Sequence, residues 1–408
     1  MRGPWRVLLP LTAAAALSLL GDSALYTILP SHTAAAGIAL GSVGVILGAN
    51  RLVRIFLNSP VGALYDRVGR RAPFIVAMGL GTASTALYAL VRGFWPLLLA
   101  RLVWGLAWAL IMVGSYNILF DISTPTDRGR ITGAYHSLAF LGSATSMLLS
   151  GLLNDWLGYH STFLLCAVGT GLGMLIALLG LPETARSQTL RRQAVSEAPP
   201  RRGWNAHLLS VSYASFANTF AGNGVLMSTM GLLLSERFGD SVRVGALVLG
   251  VASLTGVFLS SRTLLCIVFN WLSGYSSDRL GRRGPVALLG LMTFLVGNLL
   301  LALGMDTRVM VLGFVLAAIG DGVVFTSLAA LTGDLVTGER QGVAVGLFAT
   351  AGDIGAAVGP VVGYLIAERW GLPWTYLVCA LLIGSACLVL ARSGVQRVRT
   401  IVDEELRC

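Results

Sequence analysis

Seven ionisable side chains interrupt stretches of sequence that are otherwise apolar: Asp22, Arg51, Arg54, Arg101, Arg262, Asp321 and Asp353. A carboxylate in such surroundings can take up and release a proton, because burial raises its pKa and a nearby guanidinium lowers it. An arginine keeps its charge wherever it is placed, so it must meet a carboxylate or bind an anion through paired hydrogen bonds. Arg51, Arg54 and Asn58 follow an i, i+3, i+7 spacing, which sets them on one face of a helix. Two arginines on a lipid-facing stripe would be prohibitive, so this face is expected to look into a polar cavity, as are Arg262, Asp321 and Asp353. Counted at ~1.5 Å per residue, Asp22 and Arg101 lie about 12 Å and about 9 Å below the ends of their stretches, a shared level at which they can pair. Asp22, opposite Arg101, is the first choice for a proton-carrying group, and a permanent structural pair is the alternative. Two readings of the arginines stay open. They are counter-ions for Asp22, Asp321 and Asp353, or some of them, Arg51 or Arg54 first, meet an anionic or zwitterionic substrate.

The elements that carry these groups follow from composition. The chain has 408 residues, of which 55% are hydrophobic and 12% charged, and its mean hydropathy is +0.77. A soluble domain carries about twice that share of charge. Twelve apolar stretches are long enough to cross a bilayer as helices, which takes about 20 residues each. They are residues 7–30, 38–64, 73–91, 95–119, 131–154, 161–181, 207–234, 244–274, 285–304, 309–333, 342–367 and 373–391. The first follows a short basic start but has no small-residue cleavage site before a polar segment, so it is expected to be a retained helix rather than a signal peptide.

All 29 basic residues are arginine. Twenty lie on the side of the membrane that holds the N-terminus, five on the other and four within spans. The asymmetry places both termini in the cytoplasm. It also accounts for the net charge of +10 without a nucleic-acid partner. Cys166, Cys266, Cys379 and Cys387 sit in apolar helices and Cys408 ends the chain, with no metal-ligand spacing among them.

The sequence is duplicated. Gly62, Asp66, Arg67, Gly69, Arg70, Arg71 and Pro73 recur 212 residues later as Gly274, Asp278, Arg279, Gly281, Arg282, Arg283 and Pro285, and Asn58 recurs as Asn270. Asp121 matches Asp334 at an offset of 213, as do Gly133, Gly142 and Cys166 with Gly346, Gly355 and Cys379. The expected organisation is an N-terminal six-helix bundle at 1–181, a cytoplasmic linker at 182–206, and a C-terminal six-helix bundle at 207–408 with a short tail. Parallel repeats of this kind place a substrate near the membrane midplane between them.

These residues resemble the major facilitator superfamily, over essentially the whole chain. The family's loop between helices 2 and 3 is matched at Gly62, Leu64, Asp66, Arg67, Gly69, Arg70 and Arg71, and again from Gly274 to Arg283, with Ser276 in place of the leucine. The resemblance implies an all-α fold of twelve transmembrane helices in two pseudo-symmetric bundles. It implies a cytoplasmic gate in which Asp66 meets the start of helix 11 and Arg70 bridges Asp66 and Asp121. Asp278, Arg282 and Asp334, with Gly274 and Gly281, would form the mirror network. Arg101 and Gly105 resemble the helix 4 signature linked in proton-coupled members to proton transfer, although Trp104 stands where the family has a polar residue. Gly346, Gly355, Gly359, Pro360 and Gly363 match the exporter spacing, but in helix 11 rather than helix 5, where Ser146 and Met147 replace Gly-Pro. Plain small-residue packing explains the same pattern.

Trp104, Trp108, Tyr116, Asn117, Asn218, Asn223 and Phe325 are further candidates for the cavity wall, as is His136 for titration. No P-loop, nucleophile triad, dinucleotide fingerprint or metal motif is present, so no cofactor and no enzyme activity are expected. The leading expectation is a monomeric, proton-coupled secondary transporter of the bacterial inner membrane, resembling multidrug and small-molecule efflux members. Proton symport of an organic anion is the alternative, and a non-transporting receptor or assembly partner is the rival of another class.

Overall fold

A computed structural model of the chain describes residues 4–123, 128–184, 206–244, 247–280, 283–304, 306–335 and 341–393. The helices are α1 (Trp5–Ile28), α2 (Thr33–Ala36), α3 (Leu40–Val68), α4 (Arg71–Leu90), α5 (Phe94–Ile122) and α6 (Arg128–Gly180). After the linker come α7 (Ala206–Thr219), a π-helical segment (Phe220–Leu226) and α8 (Met227–Phe238). A two-stranded hairpin, β1 (Ser241–Val244) and β2 (Leu247–Gly250), leads into α9 (Val251–Leu280), α10 (Arg283–Leu303), α11 (Thr307–Leu335), α12 (Gln341–Trp370) and α13 (Leu372–Arg392).

Among the described residues, ten helices are long and apolar enough to cross a membrane. The expected twelve are nonetheless there. The 53-residue α6 contains a non-helical break at Gly158, with φ 79 and ψ 173, which separates the fifth span from the sixth. Only glycine adopts that backbone readily. The seventh span is the run α7, π segment and α8, neither flanking helix being long enough alone. The eighth span starts at Val251 rather than near 244. Residues 241–244 and 247–250 pair instead as antiparallel strands with Ser241 opposite Gly250, where β-branched and aliphatic residues favour extended backbone.

By packing, the chain forms two compact units. One comprises Met1–Glu197 with Met230–Ser260, the other Ala198–Thr229 with Ser261–Cys408. In the first unit Leu8, Leu11, Tyr65, Phe74, Ile111 and Ile118 are fully buried between α1, α3, α4 and α5. Leu52, Phe56, Trp95, Val168 and Leu179 are exposed, as befits helices whose outer faces meet lipid.

One end of this unit carries a polar lock. His32 follows α1 and lies 3.1 Å from Asn154 Nδ2 and 2.9 Å from Ser31 Oγ. The neighbouring Asp155 carboxylate accepts the Ser253 backbone N–H at 2.9 Å, in the first turn of α9, where a negative charge is favoured. Burial lowers the His32 pKa from its ordinary value, against the opposing pull of Asp155, the Ile28 carbonyl and Asp240.

In the second unit, helix contact is set by missing side chains. A β-carbon on Gly359 would lie 2.6 Å from the Phe220 carbonyl oxygen and 2.7 Å from Gly224 Cα. No atom lies within 4 Å of the corresponding point on Gly346. The glycines of α12 are thus unequal, and the close approach is made at Gly355 and Gly359.

Gly359→Leu should force the helices apart and destabilise the protein by about 1–3 kcal/mol or more, whereas Gly346→Ala should be neutral or mildly stabilising; thermal unfolding of purified protein distinguishes them. His32 supplies a pH dependence. Its folded-state pKa is depressed, so its contribution is complete above the ordinary value of 6.5 and is lost as pH falls through the lowered value. His32→Gln should flatten the melting temperature against pH in that acidic window.

Candidate functional site

The structure brings Asp22 and Arg101 together. Asp22 stands on α1 and Arg101 on α5, one turn from the Gly105 contact that lets α5 approach α3, where a β-carbon would lie 2.7 Å from the Asn50 carbonyl oxygen. Arg101 Nη1 donates to Asp22 Oδ1 at 2.5 Å. Its Nε and Nη2 donate to the Ile46 and Leu47 carbonyls of α3 at 3.1 Å each, and its guanidinium lies 5.6 Å from the Tyr26 ring centroid. The Arg101 side chain is 0% exposed and that of Asp22 17%. The arginine is therefore satisfied on every side, and the carboxylate keeps one open edge. Trp104, in the signature position occupied elsewhere by a polar residue, packs against Gly81 and stacks on Trp108 at 5.8 Å.

A second pair lies in the second unit. Arg262 on α9 donates to Asp321 on α11 at 2.5 Å, and the same Nη2 lies 3.1 Å from Asn223 Oδ1. Asn218 Nδ2 donates to the other Asp321 oxygen at 2.8 Å. Both asparagines flank or occupy the π segment. They had been candidates for a cavity wall; their hydrogen bonds place them in the shell of the Arg262–Asp321 pair. Asp353 is half-buried on α12. Phe325 is exposed, and Asn117 bonds its own helix at Val113.

Arg51, Arg54 and Asn58 do share a face of α3. Arg54 is buried, with Nη2 3.7 Å from the Met112 sulfur, and Tyr116 lies within its electrostatic reach. Arg51 has no hydrogen-bond or ion-pair partner among the described residues, and its Nε is a buried donor with no acceptor. Asn58 Oδ1 is likewise without a donor. His136 on α6 pairs with the Tyr116 hydroxyl at 2.9 Å.

At the end of the first unit opposite His32, Arg70 Nε donates to Asp121 Oδ2 at 3.1 Å and its Nη1 to the Tyr65 carbonyl at 2.6 Å. Gly62 has open space around it, Gly274 has Thr326 at 3.7 Å, and Arg67 is exposed. The side chains of Asp66, Asp278 and Asp334, and all of Gly281 and Arg282, lie outside the described residues. A residue the sequence reading missed completes this network. Glu183, just beyond α6, accepts the Arg70 and Arg71 backbone N–H groups at 2.9 and 3.1 Å, capping α4 where the helix dipole favours an anion. Gly69, at φ +96, leaves it room, since a β-carbon there would lie 2.9 Å from Glu183 Oε2. The Pro182-Glu183 pair directly after a span was the available signal. Four cysteines, Cys166, Cys266, Cys379 and Cys387, are free, and no metal-holding cluster of acidic, His or Cys side chains exists among the described residues.

Asp321→Asn should strand the Arg262 guanidinium in a buried setting and destabilise by about 3–5 kcal/mol, whereas replacing both partners by Leu should cost much less. A double-mutant cycle followed by thermal unfolding reads the difference.

Comparison with known proteins places this geometry in context. The family model described as Major Facilitator Superfamily matches residues 11–264 and 255–400. The chain is 21% identical over 360 residues to an uncharacterised MFS-type transporter of Methanocaldococcus jannaschii, covering 88% of this chain and 90% of that one. It is 28% identical over 357 residues to the class C tetracycline resistance protein of Escherichia coli, covering 82% and 85%. In fold it matches a bacterial homologue of the human lysosomal transporter Spinster with a TM-score of 0.80 at 15% identity, over 96% and 97% of the two chains. The chain is a multi-pass membrane protein and belongs to the Major Facilitator Superfamily of transporters.

Proposed function

We propose that the protein is a secondary active transporter of the bacterial inner membrane that exports small amphiphilic compounds in exchange for protons, acting as a monomer with both termini in the cytoplasm. Transport works by alternating access, with the duplicated halves 1–181 and 207–408 joined by the linker 182–206. The observation that carries this reading is the Asp22–Arg101 pair. A proton arriving at the open edge of Asp22 cancels the ion pair. Arg101 stays where it is, held by the Ile46 and Leu47 carbonyls, so protonation frees α1 rather than moving the cation. The Arg70, Asp121 and Glu183 network ties the ends of α4, α5 and α6 together at the cytoplasmic side and serves as one leaf of the gate. The arginine asymmetry between the two membrane faces supports the orientation. Similarity to a tetracycline resistance protein supports export.

Proteoliposomes with an internal pH dye test this. Tetracycline, or an amphiphilic carboxylate such as glycocholate, added to vesicles that hold an imposed pH gradient should dissipate it. Asp22→Asn should abolish the effect and Asp22→Glu keep part of it, with melting curves showing both variants folded. If neither compound moves protons, or if Asp22→Asn couples as well as the parent, proton-coupled export is wrong. Substrate and protons entering together would identify an importing symporter instead.

A further inference from the structure

We infer that Arg51 anchors an anion-binding subsite on the face of α3, and that the transported amphiphile carries a carboxylate which docks there. The duplication of the sequence makes the case. At the offset of 212 that relates the second span to the eighth, Arg262 aligns with Asn50, one residue from Arg51. At the offset of 213 that relates the fourth span to the tenth, Asp321 aligns with Trp108. In the second unit the arginine meets its carboxylate there, at 2.5 Å. The first unit has arginines on the matching helix and an indole where the carboxylate would be.

Within the spans of its own half no other carboxylate is at hand. Asp22 is the one acidic residue within the first six expected spans, and it is bound to Arg101. Arg51 thus remains a fixed cation, half-buried, about 16 Å along a helix that crosses the membrane, with a buried Nε that has no acceptor. Arginine cannot escape by releasing its proton. Nor does it point to the same side as the lipid-facing residues: Leu52 and Phe56, 46% and 75% exposed, project about 100° and about 140° away from it round α3. Asn58, two turns along the Arg51 face, offers a second polar group whose oxygen has no partner; the amide's N–H groups can serve an anion.

The surroundings define what accompanies the anion. Trp108, Met112 and Tyr116 form a stripe along α5 at i, i+4 and i+8, and Arg54 reaches this stripe at Met112. An aromatic and thioether platform beside a guanidinium suits an aryl or alkyl carboxylate, the acid on Arg51 and the apolar body on α5. The physiological role rests on the transport reading above, but binding can be measured without it.

The test uses full-length protein in nanodiscs, with 1-naphthaleneacetate and its neutral amide as probes. The carboxylate should bind about tenfold or more tightly than the amide, as a charge-assisted pair requires. Arg51→Gln should erase that preference and Arg51→Lys should keep part of it. Equal affinity of the two probes for the parent protein, or an undiminished preference in Arg51→Gln, overturns the inference without needing a folded variant for the first comparison. Nanodiscs of phosphatidylcholine and of phosphatidylglycerol separate the two sources of anion. Loss of the preference in phosphatidylglycerol alone means that a lipid headgroup occupies the site, and overturns it too. A carboxylate preference that persists in protein showing no gradient-driven flux upholds this subsite and overturns proton-coupled export.

Discussion

A guanidinium withdrawn from water must be answered, because it cannot be neutralised, and that constraint organises both units. Arg101 is answered by Asp22 and two backbone carbonyls, Arg262 by Asp321 and Asn223. Each answer fixes the register of at least two helices. α1, α3 and α5 cannot slide past one another without separating Arg101 from one of its three oxygen acceptors. In a membrane, where apolar surface gives helices little reason to choose one partner over another, such hydrogen-bonded charges specify the packing that hydrophobicity leaves open. Small residues then set how closely the chosen helices approach, as Gly105 does for α5 on α3 and Gly359 for α12 on the seventh span.

The two units solve the same problem unequally. The second unit keeps its charge pair wholly within itself and surrounds it with amides. The first has more positive than negative charge in its spans, and Glu183 adds a carboxylate only beyond the end of α6, where it meets the Arg70 and Arg71 amides, far from α3's middle. At matching positions of the two halves the carboxylate Asp321 stands in one copy and an indole, Trp108, in the other. The glycines of the exporter-type spacing are shared more evenly. Gly355 and its match Gly142 both make a close approach, to the Phe216 carbonyl and to Ala16, while Gly346 and its match Gly133 both face open space. Gly359 has a different residue, Ser146, in the other copy.

Much of the fold was legible because lipid removes alternatives. Once twelve apolar stretches are counted, helices are dictated, and the repeat at offsets of 212 and 213 divides them six and six. The Asp22–Arg101 meeting was legible because depth in a spanning helix is linear in residue number. Elements without a periodic signal were not. The second strand, 247–250, reads as apolar sequence and is absorbed into the expected eighth span at 244–274. Glu183 belongs to a charged connection, and only the folded chain shows its two oxygens on the Arg70 and Arg71 amides. The Arg262–Asp321 pair could be guessed by depth, but Asn218 and Asn223 could not be assigned to it together.

The winding of the seventh span explains why. In an α-helix two residues five apart point about 140° away from each other, so Asn218 and Asn223 would address different neighbours. Bonding from i to i+5 lengthens the turn, and between Phe220 and Leu226 it brings both amides round to one side, where one holds the aspartate and the other the arginine. The extra residue in that turn is therefore a wedge in the screw of the helix. Were the turn to tighten to ordinary pitch, one amide would rotate off the ion pair while the other stayed, so the handed twist of a single turn governs how completely a charge inside the membrane is clothed.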